Sequence, residues 1–174
     1  MKRFEIDEET VLRYAEEKDA PLVLEFVRAL AEYEHLLDQV RATEDGLKQY
    51  LFADKTAEVI ICEYRGVPAG YSLYFHNFSS FEGRPGIYIE DLFVKPEFRG
   101  KGLGKRLLAF IAGRAVERNC GRLEWACLNW NEPSIAFYKS NGARPLSEWT
   151  TYRVTGEKLR KLAGDGLGNP NFHD

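Results

Sequence analysis

Apolar residues recur every three or four positions in two long stretches, a spacing that predicts amphipathic helices. The first stretch follows Asp19, which we expect to cap the helix with Pro21 in the first turn. Its apolar positions are Leu22, Phe26, Leu30 and Tyr33. The second is expected to stop at Asn119-Cys120-Gly121, and its apolar positions are Leu103, Leu107, Leu108, Ile111, Ala115 and Val116. Shorter helices are predicted to begin at Thr43 and after Asn131.

Segments rich in β-branched and aromatic residues alternate with these helices and predict strands. Residues 57–78 are interpreted as a strand, a tight turn at Arg65 to Pro68 and a second strand. GRPG (83–86) is expected to break the chain. The following GIYIEDLFV (86–94) is nearly continuous in apolar character, which is typical of a central strand. Further strands are predicted at 11–16, 122–128 and 148–155.

This order of elements, β-α-α-β-β-β-α-β-α-β, predicts a mixed α/β domain. The strand-helix-strand unit from residue 87 to 128 should form a parallel pair with a right-handed crossover. We therefore expect a mixed sheet with helices on both faces. A length of 174 residues suits a single domain with one core. The main body of the domain is predicted to span about 11–162, and residues 163–174 are predicted to form a flexible or partner-packed tail.

The composition is typical of a soluble globular protein, with 44% apolar and 29% charged residues. No apolar run approaches the ~20 residues needed to cross a bilayer, so no membrane partner is expected. The start, MKRFEIDEET, lacks the apolar core of a signal peptide, which predicts a cytoplasmic protein. A net charge of −3 argues against a nucleic-acid partner.

The cysteines and histidines do not indicate a metal site. The chain has three of each: Cys62, Cys120, Cys127, His35, His76 and His173. Their spacing includes neither a CxxC pair nor HExxH. We expect no metal, and reduced thiols. GYSLY (70–74) fails the GxSxG pattern of serine hydrolases because its last residue is a tyrosine.

The segment RGKGLG, Arg99 to Gly104, joins a predicted buried strand directly to a helix. Glycines let a ligand approach the backbone, and the helix N-terminus attracts anions. The P-loop pattern fails because Arg106 stands where a hydroxyl is required. The dinucleotide pattern GxGxxG fails because Gly104 comes one residue too early. The spacing that fits is Arg-x-x-Gly-x-Gly, and a tight turn with solvated lysines is the alternative.

The chain resembles the GNAT superfamily of acetyl-CoA-dependent N-acetyltransferases, and within it the diamine (spermidine/spermine and thialysine) acetyltransferases. The matching segments are RALAEYEHLLDQV (28–40), YIEDLFVKPEFRGKGLG (88–104) and WNEPSIAFYKSNGA (130–143). The resemblance covers about Val11 to Leu162. It implies a mostly antiparallel sheet with a parallel pair at the cofactor cleft, acetyl-CoA as co-substrate, and a homodimer.

The resemblance also implies which residues contact acetyl-CoA. Backbone groups of Leu92, Phe93 and Val94 would pair with the pantetheine arm. Asn131, Ser134 and Tyr138 match positions that contact the cofactor in the family. The pyrophosphate would lie on the loop residues Arg99, Gly100, Lys101, Gly102, Leu103, Gly104 and Lys105.

Acetyl transfer to an amine requires removal of a proton from the ammonium and protonation of the leaving thiolate. By resemblance, Glu90 is the base and Tyr138 the general acid, since a neutral phenol can donate a proton to sulfur. Adjacent residues on a strand point to opposite faces. We therefore expect Glu90 and Asp91 to do different jobs, with Asp91 binding the cationic acceptor.

Acceptor recognition is predicted at the acidic end of the first helix. Glu34 matches an acid that meets the substrate ammonium in the resembled enzymes, and Tyr33 offers an aromatic face to a cation. Phe81 lies where the family often has a tryptophan. No acid near HNFSSF (76–81) matches the extra aspartate of spermine-type enzymes. Short diamines, lysine analogues and other small amines therefore remain as acceptors.

Three functions remain open at this stage. The first is direct acetyl transfer to the primary amine of a small cationic acceptor, a diamine, polyamine or lysine analogue, in a ternary complex, since no cysteine lies in the matched motifs. The second is acetylation of a protein N-terminus or lysine. The third is a module that binds CoA without chemistry, against which the presence of both Glu90 and Tyr138 argues.

Overall fold

The computed structural model describes residues 2–167. Its strands are β1 Arg3–Glu5, β2 Thr10–Tyr14, β3 Glu58–Tyr64, β4 Val67–Ser79, β5 Arg84–Val94 and β6 Leu123–Trp125. Its helices are α1 Ala20–Tyr33, α2 Glu44–Leu47, α3 Leu103–Glu117, α4 Glu132–Ser140 and α5 Gly156–Leu167. None of the helices within this part of the chain is both long and apolar enough to span a membrane.

The chain groups by its contacts into two compact units, Met1–Glu132 and Pro133–Asp174. The first unit holds all six strands, in the order β1-β2-β3-β4-β5-β6. Neighbouring strands are antiparallel except β5 and β6, which are parallel. The predicted mixed sheet with one parallel pair is therefore confirmed. The prediction of a single domain stays a prediction.

Helices α1 and α3 pack against the sheet and cover residues that alternate along its strands. Val59 and Ile61 of β3 belong to one apolar cluster with Val23 and Phe26 of α1. We call this side of the sheet the α1 face. Ile60 lies between these two residues and Cys62 follows them, and both point the other way because side chains alternate along a strand. Helix α3 packs against β3, β4 and β5.

The hairpin of β1 and β2 was not predicted. The Asp7 carboxylate closes its turn by accepting hydrogen bonds from the backbone N–H groups of Glu9 (3.0 Å) and Thr10 (2.7 Å). Strand β1 has only three residues, too few for a periodic pattern to stand out. An Asx turn of this kind is nevertheless a local signal that the sequence contains.

The predicted caps differ in outcome. The Thr43 hydroxyl accepts a hydrogen bond from the Gly46 N–H (3.1 Å), as expected of a cap. Asp19 stands at the N-cap of α1 but makes no side-chain cap bond to it. Its carboxylate instead binds the buried Arg13 guanidinium (2.7 and 3.0 Å), which also binds Glu63 (2.6 Å). A buried cation outcompeted the helix N-terminus for this carboxylate.

Several predicted boundaries need correction in the sheet. Strand β5 begins at Arg84, so GRPG does not break the chain, and the turn lies before it at residues 80–83. Strand β6 is shorter than the predicted 122–128. The ends of a strand depend on where a neighbouring strand offers hydrogen-bonding partners. The composition of the segment does not show this.

The predicted last strand at 148–155 is wrong. Those residues form no strand in the described chain, and Trp149 and Tyr152 are 75% and 90% exposed. A β-rich segment becomes a strand only where a neighbouring strand offers hydrogen-bonding partners. Helix α5 follows and includes residues 163–167, which were predicted as part of the tail. The rest of that predicted tail, 168–174, lies outside the described residues.

Candidate functional site

Glu90 is the extra residue of a β-bulge in β5. Leu73 of β4 pairs with Asp91, and the next residue, Tyr74, pairs with Ile89, which leaves Glu90 without an opposite residue. A bulge shifts the side chains that follow it to the other face of the strand. Asp91 therefore lies on the α1 face. The expectation that Glu90 and Asp91 point to opposite faces assumed strict alternation, and the bulge interrupts that alternation.

The edge of β5 beyond the bulge is open. Strand β6 pairs only with Ile87–Ile89, and no other strand in residues 2–167 follows β5 along this edge. The Lys95 N–H donates to the Ala69 carbonyl (2.9 Å). Because antiparallel pairs alternate in their hydrogen bonding, Phe93 also turns its backbone groups toward β4, whereas Leu92 and Val94 turn theirs toward the open edge.

The glycine loop continues from this open edge into α3. Gly100 and Gly102 adopt φ angles of 78° and 76°, and a Cβ added to either would meet no atom within 4 Å. Gly102 is the N-cap of α3, and no side chain caps the helix there. The N–H groups of the first helical turn are thus exposed to a ligand at the positive end of the helix dipole. This is the geometry of an anion site.

Some of the basic residues around the loop form ion pairs with carboxylates, and others do not. Lys95 pairs with Glu25 (2.7 Å), and Arg106 pairs with Asp7. By contrast, Lys101 and Lys105 form no ion pair within the described part of the chain, although the Lys101 ammonium lies 5.4 Å from the centre of the Tyr64 ring. Two cations next to the helix N-terminus therefore remain for an anionic ligand.

Arg99, the first residue of the glycine motif, connects the loop to the end of α1. Its Nε donates to the Val94 carbonyl (3.0 Å), and its guanidinium lies 4.6 Å from the centre of the Tyr33 ring. The Tyr33 hydroxyl donates to Asn131 Oδ1 (3.1 Å). The cation over Tyr33 is therefore a residue of the protein itself. The predicted contact of Tyr33 with an acceptor ammonium stays a prediction.

Three carboxylates are brought together beside the bulge. Burial, with the charges of Glu90 and Glu34, raises the pKa of Asp91 from 3.8 to about 6, although a hydrogen bond from Tyr71 opposes this rise. Burial also raises the pKa of Glu34, which directly follows α1. The predicted acceptor residues Glu34 and Asp91 thus share one acidic cluster with Glu90.

Tyr71 is a member of this cluster that the sequence reasoning missed. Its hydroxyl donates to Asp91 Oδ2 (2.7 Å), and its buried ring stacks on Phe26 with centroids 5.0 Å apart. Burial, followed by the neighbouring Asp91 carboxylate, raises the pKa of Tyr71 well above its ordinary value. Its pairing across two strands leaves no local signal.

Other aromatic side chains lie near Glu34. The half-exposed Trp130 contacts Tyr33 and His35, with ring centroids 6.1 and 5.8 Å apart. Burial raises the pKa of the Cys127 thiol, and the Glu34 charge adds to this effect. Trp130 was not predicted as a site residue, although the family-like segment 130–143 begins with it.

Phe81 lies far from the acidic cluster of the same chain. It occupies the turn between β4 and β5 and is 98% exposed. At ~3.3 Å per residue, the length of β5 places this turn roughly 20 Å from Asp91. The structure therefore separates Phe81 from the other predicted acceptor residues.

Ser134 and Tyr138 lie in the second unit, on α4. They are four residues apart, so both side chains lie on the same face of the helix. The Tyr138 carbonyl accepts hydrogen bonds from the N–H groups of Asn141 and Ala143, each 3.1 Å, which closes the end of α4. The predicted roles of both residues stay predictions.

Comparisons with known proteins identify the family. The family model described as Acetyltransferase (GNAT) family matches residues 21–143. The chain is 37% identical over 166 residues to a thialysine N-epsilon-acetyltransferase of Bos taurus, covering 88% of this chain and 97% of that protein. It is 38% identical over 119 residues to an L-ornithine N5-acetyltransferase of Arabidopsis thaliana, covering 68% and 49%.

A solved structure shows the same fold. An integron cassette protein from the mobile metagenome of V. cholerae matches with a TM-score of 0.75 and 30% sequence identity. The match covers 90% of this chain and 99% of that one.

Proposed function

Because the chain belongs to the GNAT acetyltransferase family, we propose that it transfers an acetyl group from acetyl-CoA to a primary amine of a small cationic acceptor. The acceptor is a diamine or lysine analogue that attacks directly in a ternary complex. The observation that carries this proposal is the acidic cluster of Glu34, Glu90 and Asp91 beside the open edge of β5.

The open edge and the glycine loop are suited to hold acetyl-CoA. Backbone groups of Leu92 and Val94 can pair with the amides of a pantetheine arm as an added strand would. The N–H groups at the start of α3, together with Lys101 and Lys105, can bind a pyrophosphate. When bound, acetyl-CoA supplies the acetyl thioester. Asn131 and Ser134 are proposed to contact it further.

The acidic cluster favours an acceptor with more than one positive charge. Burial raises the pKa of both Asp91 and Glu34, and the charges of Glu90 and Glu34 raise that of Asp91 further, so holding these carboxylates ionised costs free energy. An ammonium bound among them would relieve this repulsion and would in turn be held by it. Thialysine and ornithine, for which two relatives are named, each carry a side-chain amine besides the α-amine.

The acceptor amine must lose a proton before it can attack, since amines of this type have pKa values of about 10. We assign Glu90 as the base, directly or through a water molecule, and Asp91 with Glu34 as the groups that hold the ammonium charge. Tyr138 is proposed to protonate the leaving thiolate, because a neutral phenol can donate a proton near pH 7.

The test is a thiol-release assay with acetyl-CoA and a panel of acceptors. The panel contains short diamines, lysine analogues, monoamines, spermine and a peptide with a free N-terminus. We expect the fastest release with diamines and lysine analogues. Release only with the peptide would favour a protein acetyltransferase. Binding of CoA without release with any amine would favour a module that lacks chemistry.

The oligomeric state and cellular compartment are separate proposals. The resemblance to diamine acetyltransferases supports a homodimer, and light scattering on the purified protein tests it. A cytoplasmic location is a further proposal, and fractionation of the cells that make the protein tests it.

A further inference from the structure

We propose that Tyr71 is a positioning residue for Asp91, and that its hydroxyl holds this carboxylate ready to bind the acceptor ammonium. The inference rests on the proposed function, in which Asp91 binds the acceptor ammonium. It adds a residue of β4 to a site otherwise built from the end of α1 and from β5.

The register of the sheet places the two side chains together. Tyr71 pairs with Phe93, and Leu73 pairs with Asp91, so Tyr71 and Asp91 are diagonal neighbours on two strands. They share the α1 face because the bulge at Glu90 turns Asp91 toward it. The resulting hydrogen bond, from Tyr71 Oη to Asp91 Oδ2, measures 2.7 Å. Without the bulge, Asp91 would lie on the other face.

The Tyr71 ring is fixed before any ligand binds. It is fully buried and stacks on Phe26 with an interplanar angle of 9°. A phenol on a fixed ring loses little conformational entropy when it donates a hydrogen bond. Among the described residues, Tyr71 alone donates a hydrogen bond to Asp91, and it does so to Oδ2. Oδ1 is thus left to bind an ammonium.

The charges around Asp91 show why a donor is needed. Glu90 on the same strand, Glu34 after α1 and the burial of the site all favour the protonated form of Asp91, and only the Tyr71 hydroxyl opposes them. Two other titratable groups belong to this face: Cys127, whose pKa burial and the Glu34 charge raise, and the Lys95 ammonium, 5.2 Å from the centre of the Phe26 ring on which Tyr71 stacks. Loss of the hydroxyl would raise the pKa of Asp91 above about 6. The carboxylate would then become neutral, and lose its attraction for a cation, at a higher pH.

The experiment compares Tyr71→Phe with Tyr74→Phe by steady-state kinetics from pH 5.5 to 8.5. Tyr74 is a matched control because it is also fully buried on β4, while its hydroxyl contacts Glu58 (3.3 Å) and not the acidic cluster. In Tyr71→Phe we expect KM for the diamine to rise roughly ten-fold at pH 7, as for a lost hydrogen bond to a charged group. We expect kcat and KM for acetyl-CoA to change less than about two-fold.

The pH dependence separates positioning from a general loss of packing. The acid limb of kcat/KM should move to higher pH in Tyr71→Phe, and the KM ratio to wild type should fall as pH rises. Tyr74→Phe should leave both unchanged. An unshifted acid limb in Tyr71→Phe, or equal effects of the two substitutions, would overturn the assignment of Tyr71.

Two further measurements cover the cases of misfolding and inactivity. Fluorotyrosine at position 71 keeps the packing and strengthens the hydroxyl as a donor, so it should move the acid limb to lower pH, and an unchanged limb contradicts the proposal. If wild type releases no thiol with any amine, the proposed function fails. Calorimetry of 1,4-diaminobutane binding then decides about Tyr71, since affinity equal in wild type and Tyr71→Phe overturns its role.

Discussion

At the scale of residues, the site is organised around carboxylates whose charges disfavour one another. Asp91 is the most affected, because it is partly buried and faces both Glu90 and Glu34. Such an arrangement is costly in the unliganded protein. It becomes favourable when a cation binds, which is the usual reason for a cluster of like charges at a binding site.

The cost of this charge predicts a gain in stability from Asp91→Asn. The pKa of Asp91 in the folded protein, about 6, exceeds the ordinary value of 3.8. The ionised form therefore destabilises the fold above about pH 6, and this penalty disappears as pH falls toward the ordinary value. We expect the substitution to add about 1 to 3 kcal/mol to the free energy of unfolding at pH 7.

Denaturant unfolding at pH 7 and about pH 4 measures this effect. The gain should shrink at the lower pH, and KM for a diamine should rise at pH 7. Destabilisation at pH 7 would contradict the account of the cluster.

Tyr138 provides a second prediction at this scale. Tyr138→Phe should lower kcat by roughly 10² to 10⁴-fold, the range for loss of a general acid, while calorimetry should show unchanged CoA affinity. Tyr152→Phe is the control in the same unit, since Tyr152 is almost fully exposed. Unchanged turnover in Tyr138→Phe would remove this phenol from the mechanism.

At the scale of elements, the bulge and the glycine loop together shape the two proposed substrate sites. The bulge at Glu90 turns the Asp91 carboxylate toward the α1 face. The three residues that follow Asp91 run along the open edge toward the loop. The periodicity of residues 86–94 predicted the strand correctly. It could not predict the bulge, because an extra residue is visible only against the register of β4.

The loop predicts that Gly102→Val weakens CoA binding. At a φ of 76° a β-branched residue is strained by roughly 1 to 3 kcal/mol, and its side chain would cover the N–H groups of α3. Gly66→Val is the matched control, because Gly66 has a φ of 77° and also no atom within 4 Å of an added Cβ. Both substitutions should cost similar stability.

Calorimetry with CoA should show a loss of affinity of roughly ten-fold or more for Gly102→Val only. Equal CoA affinity in the two variants would show that the loop does not bind the pyrophosphate.

Other elements show where local patterns were insufficient. The amphipathic spacing of α1 and α3 predicted both helices, since one apolar face is a property of the segment itself. The segment 148–155 has a strand-like composition but no strand partner in the described chain. Asp19 has the sequence position of a cap, and its bond to Arg13 was not predicted because it depends on how β2 packs beside the start of α1.

At the scale of the molecule, the family match covers residues 21–143 and so includes residues of both compact units. The predicted fold class and acetyltransferase family are confirmed. Of the predicted acceptor residues, Glu34 and Asp91 belong to one acidic cluster, whereas Phe81 lies at a distant turn. Sequence motifs identified the acids individually, but only the folded sheet brings Tyr71 to them.

The central claim is acetyl transfer to an acceptor recognised by its second positive charge. The most direct measurement compares kcat/KM for 1,4-diaminobutane and butylamine, with acetyl-CoA, and identifies the acetylated product by mass spectrometry. We predict monoacetylated diamine and a value roughly ten-fold or more above that for butylamine, as expected for one charged contact. Equal values for the two amines, or no acetylated amine at all, would contradict the account.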